Sequence, residues 1–251
     1  MAVLYVDQLS KSISSNTLKL LSNVTTSIEK PAIIFILGAS GQGKSTLLRI
    51  LGRLESPDSG HIYLHGKMEK DWSPSEWRMK VGYVGQQPVM LPGTVEDNLR
   101  IVSRLHRSTF NSMYVKQLLS DVGLSYLDWN KQASLLSGGE KQRLALIRTI
   151  LLNPDILLLD EVTSSLDIHS TQLVEEFIKS CHYEKEMTII SVTHNVKQAQ
   201  NIGQRIWLLS EGRLIEDTDP QSLFKSPETD LSKSLMQQSF SKSSNQIEVF
   251  V

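Results

Sequence analysis

A chain of 251 residues can form one large domain or two small ones around a sizeable buried core. With 26 Lys and Arg against 27 Asp and Glu, the formal net charge is -1, which excludes a strongly basic nucleic-acid binder and an acidic disordered tail protein. The single cysteine, Cys181, excludes an internal disulfide framework and fits a reducing compartment, with an ordinary core or surface position as its simplest role.

The first residues, Met1-Ala2-Val3-Leu4-Tyr5-Val6-Asp7, have no basic flank and no sustained apolar stretch, unlike a signal peptide. The longest apolar run begins at Ala32 and ends at Leu37. A membrane span needs roughly 18 apolar residues or more, so the chain is expected to be soluble and to serve a membrane only by docking onto another chain. Ile33-Ile34-Phe35-Ile36-Leu37 reads as a strand buried on both faces, ending in Gly38. From Lys44 to Leu54, the spacing of Leu47, Leu48, Ile50, Leu51 and Leu54 predicts a helix. Ile62-Tyr63-Leu64 before His65-Gly66 predicts a short antiparallel strand and a turn.

From about Val95 to Gly139 the chain becomes mostly polar and helical, with Met113, Val115, Leu118, Leu119 and Val122 assigned to one apolar face. This stretch is read as a helical insertion. Ile156 to Leu159 and Met187 to Val192 are two further buried strands, with an amphipathic helix between them at about Thr171 to Ser180. Strand, helix, strand in this order predicts an α/β fold with a parallel, doubly wound sheet. No internal repeat is found, so one cassette is expected over residues 1–225. Residues 226–251 are rich in Ser, Lys and Gln, and their composition predicts a partly mobile tail.

Gly38-Ala39-Ser40-Gly41-Gln42-Gly43-Lys44-Ser45-Thr46 matches the phosphate-loop pattern, with a predicted strand before it and a helix after it. Glycines let the backbone curl so that successive N–H groups point at phosphate oxygens, and the helix start adds its positive end. Lys44 is then expected to reach the β- and γ-phosphates, and the Ser45 hydroxyl to ligate Mg²⁺. This motif alone says only that a nucleotide is bound; adenylate kinases, GTPases and helicases share it. Asp160 and Glu161 end the strand from Ile156, at the edge where open parallel sheets bind ligands. Asp160 can hold the Mg²⁺ shell, and Glu161 is placed to polarise an attacking water as general base.

About 20 residues earlier, Leu136-Ser137-Gly138-Gly139-Glu140-Lys141-Gln142-Arg143 opens a helix predicted from about Glu140 to Leu152. Here the chain resembles the ABC ATPase family, whose signature has this pattern. Asp160-Glu161-Val162-Thr163-Ser164-Ser165-Leu166-Asp167 is similar to that family's acidic pair and D-loop, and the resemblance runs from about Leu4 to Phe224. It implies a P-loop core with a mostly parallel sheet, a small antiparallel β subdomain and a helical subdomain. It also implies that Ser137, Gly138 and Gly139 face ATP held by a second copy, so that ATP joins two subunits and hydrolysis separates them. Ser137 would in any case cap its helix. Gln86, within Val81 to Pro88, resembles the Q-loop glutamine that touches Mg²⁺ and water, and His194 resembles the switch histidine at the γ-phosphate. Asp167 matches the D-loop aspartate, a position that also suits a helix cap.

The implied partner is an integral membrane permease, and the chain is expected to be cytoplasmic, held through that permease on the inner face of the cell membrane. Val89-Met90-Leu91-Pro92 is either the lip of the docking cleft or ordinary core. The family stacks adenine on an aromatic residue ahead of the phosphate loop, yet no Phe, Tyr or Trp occurs between Val6 and Ile34; Ile13 is the apolar candidate in Lys11-Ser12-Ile13-Ser14-Ser15. Looser discrimination between ATP and GTP is expected. Leu144 to Arg148 with Glu161 to Asp167 look like metal-export ATPases, and Thr193-His194-Asn195 with Gln198-Ala199 like phosphate importers. An inorganic ion is therefore the expected cargo. The alternative is a non-transport ABC ATPase acting on DNA or ribosomes, but the chain has neither a long coiled-coil insertion nor a second cassette.

Overall fold

In the computed structural model, residues 2–13, 19–225 and 233 are described. Expectations for residues 14–18 and for all of the tail but Lys233 fall outside them. In chain order the strands are β1 (Leu4–Ser12), β2 (Lys19–Ile28), β3 (Ile33–Leu37), β4 (Ser59–Leu64), β5 (Lys67–Met68), β6 (Val81–Val84), β7 (Ile156–Asp160), β8 (Thr188–Val192), β9 (Arg205–Ser210) and β10 (Arg213–Thr218). The helices are α1 (Lys44–Leu51), α2 (Pro74–Lys80), α3 (Val95–His106), α4 (Ser112–Asp121), α5 (Gly138–Ile150), α6 (Ile168–Lys185), α7 (Val196–Ile202) and α8 (Pro220–Lys225). No helix among the described residues is long and apolar enough to cross a membrane.

The described residues form two compact units, Met1–Trp72 with Ile190–Val251 and Ser73–Ile189, and the division passes through β8. In the first unit β1 pairs antiparallel with β2 and β4, and β4 with β5. Also in this unit, β3 runs parallel to β9, and β9 antiparallel to β10. All five residues of β3 are buried, as a continuous β-branched run in a two-sided parallel position requires. Helix α1 buries Leu47, Leu48, Ile50 and Leu51, each worth about 1.5–3 kcal/mol when fully removed from water. It stops at Gly52, shorter than the spacing through Leu54 suggests, and Leu54 is half exposed.

In the second unit β6 runs parallel to β7. Helix α5 lies directly against β6: a Cβ on Gly82 would come within 2.6 Å of Thr149 Cγ2. Residues 95–139 hold α3, α4 and the start of α5, and their one described β-bridge joins Gln132 to Thr94. The assigned apolar face of α4 is corrected at one position. Val115, Leu118, Leu119 and Val122 are buried, but Met113 is 82% exposed. At about 100° per residue, Met113 lies some 200° around the helix from Val115 and points away.

Candidate nucleotide site

The phosphate loop belongs to the first unit. Gly38, Gly41 and Gly43 take φ values of 149°, 79° and 87°. A Cβ on Gly38 would lie 2.2 Å from the Leu209 carbonyl oxygen, and one on Gly43 would lie 2.5 Å from that of Leu20. Gly38 and Gly43 are therefore required both by dihedral and by the close approach of β9 and β2, and Gly41 by its dihedral alone. Gly43 is the N-cap of α1 and offers no side-chain cap. Lys44 is 5% exposed, and its ammonium donates to the carbonyls of Gly38 at 2.9 Å and Ala39 at 2.7 Å. Ala39, Ser40 and Gly41 are exposed and Ser45 half-buried, whereas Thr46 is buried and accepts a hydrogen bond from Arg49. Gln42 reaches the turn between β9 and β10, where Oε1 accepts the Glu211 N–H. His194 follows β8 and is exposed, while its neighbour Asn195 caps α7.

The other expected site residues belong to the second unit. Asp160 closes β7, is 4% exposed, and accepts the Tyr83 hydroxyl at 3.0 Å. Glu161 follows in the left-handed region at φ 51°, where the Ser164 N–H and hydroxyl hold its carbonyl at 3.1 and 2.8 Å. Its Oε2 accepts the Gln86 amide at 3.0 Å, so two expected catalytic residues 75 positions apart in sequence meet directly.

Ser137 caps α5 in a reciprocal box. Its hydroxyl accepts the Glu140 N–H at 3.2 Å, and Glu140 Oε2 accepts the Ser137 N–H at 2.7 Å. The Ser137 N–H, then the Tyr126 hydroxyl at 3.1 Å and Lys131, hold the Glu140 carboxyl below its ordinary pKa against the opposing effect of burial. A Cβ on Gly138 would meet nothing within 4 Å, so the start of α5 is open beside Ser137; one on Gly139 would touch Leu166 at 3.1 Å. Asp167 is a helix cap, accepting the Ser170 N–H at 2.8 Å.

Val89 and Leu91 are 71% and 37% exposed, which removes core packing as the reading of Val89 to Pro92. Sequence reasoning missed Tyr83 as the partner of Asp160. It also missed Asn98 and Arg148, which hold this exposed segment from behind. Tyr83 sits between Gly82 and Val84 in a buried strand, which is the one local signal available for it. Cys181 is 3% exposed, and burial pushes its thiol up to about 11, so it is an inert core residue.

Among the described residues no group of three or more His, Cys, Asp and Glu is arranged to hold a metal. The half-buried Ser45 hydroxyl in the first unit and the Asp160 carboxylate in the second are each an oxygen donor of the kind Mg²⁺ takes, an ion that keeps waters and draws further ligands from phosphates.

The ABC transporter family matches residues 21–164. YjkB of Bacillus subtilis (strain 168), named as an ABC transporter ATP-binding protein, is 41% identical over 220 residues, covering 88% of this chain and 87% of its own. The phosphate import ATP-binding protein PstB of Colwellia psychrerythraea (strain 34H) is 38% identical, covering 82% of this chain and 78% of its own. Other relatives, each 34% identical, are named for glutamate and methionine transport. Among solved structures, the dimeric ATP-binding cassette MJ0796 with ADP and Pi superposes with a TM-score of 0.75 at 27% identity, covering 86% of this chain and 98% of that one. A phosphate loop, an acidic strand end and a capped signature helix in the family's order agree with these matches: the chain belongs to the ABC transporter family, as an α/β, P-loop ATP-binding domain of its ATPases.

Proposed function

We propose that this chain powers solute transport by hydrolysing ATP between two copies of itself, docked on a separate membrane permease. The observation that carries the hydrolytic part is the Gln86–Glu161 hydrogen bond at the end of β7. A carboxylate fixed there can take a proton from water, and the amide beside it can orient that water.

In this reading the loop Gly38 to Thr46 cradles the phosphates, and Lys44 exchanges its two carbonyl partners for β- and γ-phosphate oxygens. Ser45, Gln86 and Asp160 are assigned to Mg²⁺, which would neutralise phosphate charge. Water attacks the γ-phosphorus, Glu161 accepts its proton, and ADP leaves with the electrons of the broken P–O bond. His194 is assigned to the γ-phosphate, and Ser137, Gly138 and Gly139 to the nucleotide of the second copy. The open face at Gly138 supports that last assignment.

The permease is assigned to the exposed segment Val89 to Pro92, and the chain itself to the cytoplasmic face of the membrane. The proposed cargo is an inorganic ion, supported by the similarity to PstB. Gln198 and Ala199, part of the phosphate-importer pattern, are 4% and 0% exposed within α7. Their burial leaves them no surface for a solute, and selection of the cargo is assigned to the permease.

Glu161→Gln is expected to retain ATP binding and to lose turnover by at least about a hundredfold. Turnover near wild type removes Glu161 from the mechanism. Tagged Glu161→Gln chain, pulled down with ATP from gently solubilised native membranes, is expected to bring a polytopic membrane protein with it. Ribosomal or DNA-associated partners alone would leave the chemistry standing and overturn the transport role.

A further inference from the structure

We infer that Gln142 and Arg148 are positioning residues for hydrolysis: from helix α5 they hold the two ends of the Gln86 loop and so set the Gln86–Glu161 pair. This rests on the reading of Glu161 as the base. The chain between β6 and α3 has no regular structure, so its backbone groups need partners from elsewhere. Helix α5 supplies them at both ends. Gln142 Nε2 donates to the Gly85 carbonyl at 3.0 Å, immediately before Gln86. Arg148 Nη2 donates to the Val89 carbonyl at 2.7 Å, three residues after it.

The second end is doubly held. Arg148 Nη1 donates at 3.0 Å to Oδ1 of Asn98, a fully buried residue. That oxygen also accepts the Leu91 N–H at 2.9 Å, while Asn98 Nδ2 donates to the Leu91 and Thr94 carbonyls, each at 3.0 Å. A planar guanidinium can serve two acceptors from one fixed fork, which a lysine cannot copy.

A second observation separates this from ordinary helix packing. Gln142 is 2% exposed, and its Oε1 is buried without a hydrogen-bond partner among the described residues. Leaving an amide acceptor unsatisfied is unfavourable, and leucine would fill similar space without it. What the glutamine adds over leucine is the donor to Gly85. Because α5 starts at the signature, a tilt of that helix is carried to Gln86 and Glu161 within the same chain.

The test is steady-state ATPase kinetics on the purified chain, with ATP affinity and thermal melting measured beside it. Gln142→Leu and Arg148→Gln are each expected to lower kcat about tenfold while KM for ATP stays within about twofold. Arg148→Lys, which keeps one donor for Val89, is expected to recover part of kcat. Unchanged kcat in both variants overturns the inference, and so does a KM that rises in step with the lost kcat. If Arg148→Gln does not fold, Gln142→Leu decides; loss of the fold in both makes the role structural and also overturns it. Glu161→Gln run alongside separates two failures. Turnover in that variant sinks the proposed function, whereas a dead Glu161→Gln beside fully active Gln142 and Arg148 variants sinks this inference alone.

Discussion

Glu161 occupies a backbone conformation that costs a non-glycine residue about 1–3 kcal/mol unless its surroundings enforce it. Here Ser164 holds the carbonyl and Gln86 the carboxylate, so its surroundings fix the conformation. Gly38 is constrained more severely, because no side chain fits within 2.2 Å of the Leu209 carbonyl. Gly38→Ala is expected to lower the melting temperature by several degrees and to weaken ATP binding at least about tenfold. Calorimetry and nucleotide titration check both, and wild-type affinity would show that β9 yields. Ile13, the apolar candidate for the adenine, is 44% exposed and has no ring to stack as an aromatic residue does. Affinities for ATP and GTP are therefore expected to lie within about tenfold of each other; a strong ATP preference in competition titration would contradict this.

The helices show why some elements are legible in sequence and others are not. Runs such as β3 and β7 are buried at every position, so five consecutive apolar or strand-ending residues announce them. Strand β1 carries Asp7, Gln8, Ser10 and Lys11 and alternates irregularly across register shifts, which leaves no period to detect. Helix starts are legible where the cap is local, as in the Ser137–Glu140 box of α5. The caps also carry a pH signature. Asp97 on α3 and Asp167 on α6 are held below the ordinary aspartate pKa, chiefly by backbone N–H groups of Thr94 and Ser170, and Glu140 is lowered by that of Ser137. A lowered carboxylate stabilises the folded state fully above its unfolded pKa, and that stability disappears as pH falls through the folded value. The melting temperature is thus expected to drop below about pH 4.5. Asp97→Asn should flatten that drop in melts recorded across the same range, and an unchanged slope would count against the cap's role.

For the whole molecule, the motifs were readable because each is a short contiguous string. The contacts that join them were not: Tyr83 and Asp160 lie 77 residues apart, and Asn98 and Arg148 lie 50 apart. Nothing in the local spacing links such pairs; the parallel pairing of β6 with β7 brings the first together and the packing of α3 against α5 the second. If two copies close on ATP before hydrolysis parts them, as proposed, blocking hydrolysis should hold them together. Sedimentation equilibrium of Glu161→Gln with saturating ATP and Mg²⁺ measures this. The expected result is twice the monomer mass of 28.2 kDa, reverting to one mass when ADP replaces ATP. A species that stays at the monomer mass with ATP bound would contradict it.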